Sequence, residues 1–263
     1  STLMRSSAAS DVYKRQNVGY STELFGKDNR ADRLITYAAS FGNTTLEKLE
    51  KYQKAGEVGN LLKEFDAISV RDANSGSIVE QFTGEEPVYN LDPVLTYDYM
   101  NCCDRIPQIE ATEKYLILYA YAGRISNEEA DWIAEYAKKK NLKVYAIGGI
   151  QKCADRFVDC SPFEVLAYFR NAEEVITDTF HGSIFSVITH RPFTTLIRKS
   201  VGNSYGNEEK LSDLLNRLVL TERMTTKVED TERINQQPID YKKVDDVLPV
   251  SYTHLRAHET DQY

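Results

Sequence analysis

Glu174-Val175-Ile176-Thr177-Asp178-Thr179-Phe180-His181-Gly182-Ser183-Ile184-Phe185-Ser186 decides how the chain is read. Its first residues form an apolar run, and Ile184, Val187 and Ile188 then repeat at helical spacing. That change of period predicts a buried strand over 175–177, a tight turn, and a helix from Ser183 to Thr189. A helix start presents unpaired backbone N–H groups and the positive end of a dipole, both of which attract phosphate or carboxylate. The turn sets an acid (Asp178), an imidazole (His181) and a glycine (Gly182) at that mouth. His181 there is a titratable donor placed to act on a bound anion. The competing reading is structural, with Asp178 or Ser183 as a helix cap and His181 as a turn histidine held by its neighbours.

Strands and helices alternate on both sides of this stretch. Toward the N-terminus, the pattern gives a strand over 34–40, a turn at Phe41-Gly42, and a helix over 45–55 capped by Asn43 or Thr44. A short helix over 57–64, a strand over 67–71, a helix over 72–82 and a strand over 87–91 follow. Residues 94–113 lack a period and read as a linker between two lobes. The pattern then restarts with a strand over 115–121 and a helix over 127–140, with Ser126 as N-cap and Glu129 as capping-box partner. Next come a strand over 142–147 closed by Gly148-Gly149, a helix over 162–171, the stretch quoted above, a strand over 193–197 and a closing helix over 211–220. Helices between strands imply βαβ units and parallel sheets, hence an α/β fold in two Rossmann-like lobes.

The chain has 263 residues, is 41% hydrophobic and carries a net charge of -8. That supports one large domain or two small ones. It argues against non-specific nucleic-acid binding, which needs a basic face. No apolar run nears the roughly 20 residues that cross a bilayer. Cys102, Cys103, Cys153 and Cys160 contain no CxxC pair, and two of the four histidines lie in the last segment, so no metal site is expected. Reduced thiols and a cytoplasmic location are the expectation. Residues 1–16 and 250–263 read as foreign flanks and are set aside. With no initiating Met before Asn17, the first lobe is expected to be truncated.

In open parallel sheets, ligands sit at the carboxyl ends of strands. Ser40, Arg71, Asp92, Asp178 and His181 all fall at such ends. Arg71 follows a buried strand, and a guanidinium grips carboxylate or phosphate with two parallel bonds. Its structural alternative is an ion pair with Asp72. Ser40-Phe41-Gly42 offers turn N–H groups to a ligand, or is a plain turn. Arg198 ends the strand after the histidine helix, where it meets an anion or solvent. Asp92-Pro93 reads as shaping the chain where it leaves the sheet, and His190 as a structural residue at a helix end. Gly182 and Ser183 complete the anion-binding mouth. Without GxGxxG or a Walker sequence, a dinucleotide or ATP site has no support.

Taken in order, Tyr37–Gly42, Phe65–Asp72, Asp92–Leu95, Thr177–Ser186 and Leu211–Arg223 resemble the polysaccharide pyruvyl transferase family. The family's glycine-rich opening segment has no counterpart here, in keeping with a truncated first lobe whose acceptor side is incomplete. The resemblance implies a B-type glycosyltransferase-like fold. It implies a partial acceptor lobe over 17–93, a donor lobe over 114–223 and a C-terminal extension over 224–249. It further implies transfer of pyruvyl from phosphoenolpyruvate, as a ketal, onto a sugar of a surface polysaccharide or its precursor. No cofactor is expected, and phosphoenolpyruvate is the donor substrate. The acceptor is a glycan or lipid-linked sugar through which the enzyme associates peripherally with a membrane. Arg71 then helps hold phosphoenolpyruvate and His181 lies at the donor site. Either His181 or Asp178 delivers the proton. Two alternatives share the fold: a glycosyltransferase using a nucleotide sugar, and a non-catalytic glycan-binding module.

Overall fold

A computed structural model describes residues 21–42, 44–110, 112–199 and 206–248. The flanks 1–16 and 250–263, Asn17 and the candidate cap Asn43 lie outside the described residues. The chain divides into two compact units, 1–93 and 94–263.

In the first unit, α1 (Leu46–Lys51), α2 (Ala55–Leu62), β1 (Ser69–Val70), α3 (Ala73–Thr83) and β2 (Val88–Tyr89) follow in order. β1 and β2 are parallel, with Ser69 opposite Val88. The strand expected over 34–40 is reduced to two single parallel bridges, Ile35 with Ala67 and Ala39 with Val70. Ala38 takes φ 49°, a left-handed conformation that an extended ladder does not accommodate. Side chains supply bonds instead: the Ala38 N–H donates to Ser69 Oγ, and Thr36 Oγ1 donates to the Ser69 carbonyl, each at 2.9 Å. The helix expected over 45–55 stops at Lys51, and Gln53 turns at φ 55°. Its cap is Thr45 rather than Thr44, with Oγ1 accepting from the Lys48 N–H at 3.3 Å. Leu49, Val58, Leu62, Val70, Ile78 and Val79 close this unit's core.

The second unit begins with the segment expected as a linker. There α4 (Tyr99–Cys102) forms, and Ile106 packs with Leu166 and Ala167. β3 (Tyr115–Tyr119), α5 (Asn127–Lys139), β4 (Lys143–Ile147), β5 (Arg156–Phe157), α6 (Pro162–Asn171) and β6 (Glu174–Thr177) follow. α7 (Phe180–Ile188), β7 (Phe193–Leu196), α8 (Glu208–Arg217), β8 (Met224–Thr225) and α9 (Thr231–Gln236) complete the unit. The expected capping box starts α5: the Glu129 N–H donates to Ser126 Oγ at 3.2 Å, and the Ser126 N–H donates to Glu129 Oε2 at 2.9 Å. α8 begins three residues before the expected helix and ends before Val219, which turns at φ 58°.

The six strands of this sheet pair in parallel in the order β5-β4-β3-β6-β7-β8. Counted from β3, that is 3-2-1-4-5-6, the doubly wound order, and it reverses between β3 and β6. Leu116, Ile117, Leu118, Val175 and Ile176 are fully buried, as in a sheet covered by helices on both faces. Residues 224–236, expected to lie beyond the lobe, supply β8 and α9 to this sheet and its cover. Among the described residues no helix is long and apolar enough to cross a membrane.

Arg223 ties this last segment down. Its buried guanidinium donates to the Ile234 and Gln237 carbonyls at 2.8 Å and to the Pro238 carbonyl at 3.2 Å, closing the end of α9. Arg223→Lys keeps a charge but loses the planar fork. Urea unfolding is expected to show a loss of about 1–2 kcal/mol.

Candidate functional site

β3 and β6 end side by side, with Tyr119 in register with Thr177. The chain leaves one strand toward α5 and the other toward α7, so the crevice where a parallel sheet takes ligands opens here. Thr177 organises this edge. Its Oγ1 donates to the Tyr119 carbonyl at 2.8 Å and accepts from the Thr179 N–H at 3.0 Å. Thr179 is the N-cap of α7, and its Oγ1 accepts from the Gly182 N–H at 2.9 Å. The cap is therefore neither Asp178 nor Ser183. The helix starts three residues earlier than expected, which puts His181 and Gly182 inside its first turn.

His181 is half-buried, with its ring 5.7 Å from that of Phe180 and 5.9 Å from that of Phe185. Gly182 is packed against the strand end: a Cβ there would lie 2.1 Å from Thr177 Oγ1 and 2.7 Å from Thr179 Oγ1. Ser183 is buried, its hydroxyl 2.9 Å from Thr195 Oγ1 and 3.2 Å from the Thr179 carbonyl. Both were expected to contact substrate. The Gly182 amide and the Ser183 hydroxyl instead hold the helix start against β6 and β7. Gly182→Ala is expected to cost about 2 kcal/mol through overpacking, read as a lower midpoint in thermal unfolding.

Asp178 is fully buried directly after β6. Among the described residues neither of its carboxylate oxygens accepts a hydrogen bond. Arg124 Nη1 lies 4.0 Å from Oδ2, beyond hydrogen-bond range. Burial pushes the carboxyl up to about 6, against the opposing pull of Arg124 and Arg198. Arg124 was not singled out from sequence. It sits in the loop after β3, its guanidinium 4.4 Å from the Tyr121 ring centre. Its position past a strand end was the one available signal.

Arg198 does meet an anion, but the anion is Glu129, which it grips bidentately at 2.6 and 3.1 Å. The Arg198 N–H donates to Asn207 Oδ1 at 2.6 Å, and Asn207 Nδ2 donates to the Asp178 carbonyl at 2.7 Å. Arg198 thus braces the loops around Asp178. His190 turns at φ 53° and stacks on Tyr241 with centroids 4.0 Å apart.

Arg71 and Ser40 belong to the first unit. Arg71 is mostly buried, and Nη1 donates to Asp92 Oδ2. The pair weighed from sequence, Arg71 with Asp72, is replaced because Asp72 caps α3, accepting from the Ser75 N–H at 2.9 Å. Asp92, expected only to shape the chain, is the buried partner that orients the guanidinium. In the Ser40-Phe41-Gly42 turn, the Phe41 N–H donates to Ser75 Oγ at 2.8 Å and the Gly42 N–H to Ser40 Oγ at 3.1 Å. The first of these bonds ties the turn to α3 and the second closes the turn on itself. Among the described residues, no group of three His, Cys, Asp or Glu side chains is placed to hold a metal ion.

No curated protein matches the chain. The UDP-GlcNAc 2-epimerase of Methanocaldococcus jannaschii, solved with UDP-GlcNAc and UDP, is similar at 13% identity and a TM-score of 0.50. The match covers 89% of this chain and 82% of that one. An O-GlcNAc transferase of Thermobaculum terrenum matches at 12% identity and a TM-score of 0.44 over 84% of this chain, which spans 45% of that protein's length. At such identities the likeness concerns fold alone, and the epimerase match supports the α/β class with parallel sheets. The sequence model of one family matches residues 10–200. It takes in the blocks around Ser40, Arg71 and Asp92 and the whole strand–turn–helix that carries Asp178 and His181. The chain belongs to the polysaccharide pyruvyl transferase family.

Proposed function

We propose that the chain carries out pyruvyl transfer from phosphoenolpyruvate onto two hydroxyls of a sugar in a surface polysaccharide or its precursor, forming a cyclic ketal and releasing phosphate. Family membership over residues 10–200 is the observation that carries this reading. The arrangement at the end of β6 suits the chemistry. Phosphoenolpyruvate bears a phosphate and a carboxylate, which call for guanidinium groups and a helix mouth.

A proton delivered to the methylene carbon leaves an oxocarbenium-like centre at the carbon bearing the phosphate ester. One sugar hydroxyl adds to that carbon and releases its proton. The carbon–oxygen bond to phosphate then breaks, the second hydroxyl closes the ketal, and its proton is released. Of the two hydroxyl protons, one restores the acid and the other leaves with phosphate. His181 is assigned as that acid, because the Asp178 oxygens are sheltered inside the fold. Asp178 then acts on the charge balance around the crevice rather than by contact with substrate. Arg71, oriented by Asp92, is assigned to a donor anion.

Thermal shift separates this reading from a nucleotide-sugar glycosyltransferase. Stabilisation by phosphoenolpyruvate and not by a nucleoside diphosphate is expected, and the reverse result favours the glycosyltransferase.

A further inference from the structure

We infer that Asn207 is a positioning residue for His181: its buried amide fixes the peptide through which the imidazole is set at the mouth of α7. Asn207 stands at the N-cap of α8, where an asparagine side chain commonly bonds its own helix, yet it makes no such bond. The side chain serves two strand ends instead. Nδ2 donates to the Asp178 carbonyl, just past β6, at 2.7 Å and to the Leu196 carbonyl, the last of β7, at 3.2 Å. Oδ1 accepts from the Arg198 N–H at 2.6 Å, and the Asn207 N–H donates to the Arg198 carbonyl at 3.0 Å. Both donors and the acceptor of the amide are thereby used. The residue is buried, which leaves water little access to replace a lost bond.

The Asp178 carbonyl belongs to the peptide that turns the chain from β6 into α7. The other side of that peptide, the Thr179 N–H, donates to Thr177 Oγ1 at 3.0 Å. Its plane is therefore held from both sides, by Thr177 within the turn and by Asn207 from 29 residues away. Thr179 then caps α7, and His181 follows in the first turn. Loss of one hold frees that plane to rotate and carries the first turn with it. A displacement of about 1 Å at a reacting group costs on the order of 10²-fold in rate.

That this positioning serves proton delivery rests on the proposed function; that Asn207 sets the imidazole does not. Two readouts on Asn207→Ala and Asn207→Asp keep them apart: steady-state pyruvyl transfer, and the ring NMR signal of His181, assigned by its loss in His181→Ala. Asn207→Asp is close to isosteric; its carboxylate still accepts from the Arg198 N–H but no longer donates to Asp178, and it decides the matter if alanine unfolds the chain. Both variants are expected to lower turnover about 10–100-fold, with the KM for phosphoenolpyruvate within about threefold of wild type. Both should shift the His181 signal while that of His190, beyond the end of α7, stays in place. Arg223→Lys, which loosens the fold outside the crevice, is expected to keep turnover and the His181 signal, so that lost stability alone does not account for the effect. An unmoved His181 signal in a folded Asn207 variant, or turnover within about twofold of wild type, overturns the inference. A moved signal in a chain whose wild type transfers no pyruvyl to a proven acceptor upholds the positioning and overturns the donor reading instead.

Discussion

His181→Ala is expected to lower the turnover of pyruvyl transfer by about 10²–10⁴-fold, the range for loss of a positioned general acid. The ring is half-buried and stands in the first turn of α7. The helix start is held by Thr177, Thr179 and Gly182, so the substitution leaves those contacts in place. The thermal midpoint should accordingly stay close to wild type. His181→Gln keeps a hydrogen-bond donor but cannot release a proton, and should be as inactive as alanine if proton delivery is the role. A variant that keeps turnover within threefold of wild type would move the acid elsewhere.

Asp178→Asn is expected to raise stability at pH 7.5 by about 2–3 kcal/mol. Burial lifts this carboxyl from the ordinary carboxylate range to about 6, so the folded chain holds the proton more tightly than the unfolded chain does. The folded state then carries no penalty from this group below pH 4. The penalty grows as pH rises from about 4 to about 6 and stays at roughly 3 kcal/mol above that. Asparagine is neutral throughout, and the cost of its buried amide reduces the gain. Urea unfolding of both proteins at pH 4 and pH 7.5 reads the effect: midpoints that nearly coincide at pH 4 and separate at pH 7.5 agree with a buried, poorly solvated carboxylate. Destabilisation of the variant at pH 7.5 would mean that Asp178 is satisfied by partners whose loss outweighs its charge.

The sequence pattern predicted the second unit's sheet well, because β3, β4, β6 and β7 are apolar runs separated by amphipathic helices. The Ser126–Glu129 box was readable for the same reason, since both partners lie within one turn. The misses have physical causes. β5 and β8 are two residues long, too short to show a period. Ala38 adopts a left-handed backbone that nothing in an alanine announces. Asp178, Thr179 and Ser183 are all competent caps, and only the backbone path after β6 selects Thr179. The partners of Arg71 and Arg198 lie 21 and 69 residues away, beyond the reach of any local pattern. Arg124 stands in a loop without periodicity, and it comes beside Asp178 only when β3 and β6 become neighbours.

The central claim is that phosphoenolpyruvate supplies a pyruvyl group to a sugar. Incubating the chain with phosphoenolpyruvate and pooled surface glycans and lipid-linked precursors, then weighing the acceptors by mass spectrometry while counting phosphate, tests it most directly. The account predicts an acceptor heavier by pyruvate less one water, with one phosphate released per acceptor modified and both signals lost in His181→Ala. An acceptor of proven competence that gains no such mass, or that gains a hexose from a nucleotide sugar instead, would contradict it.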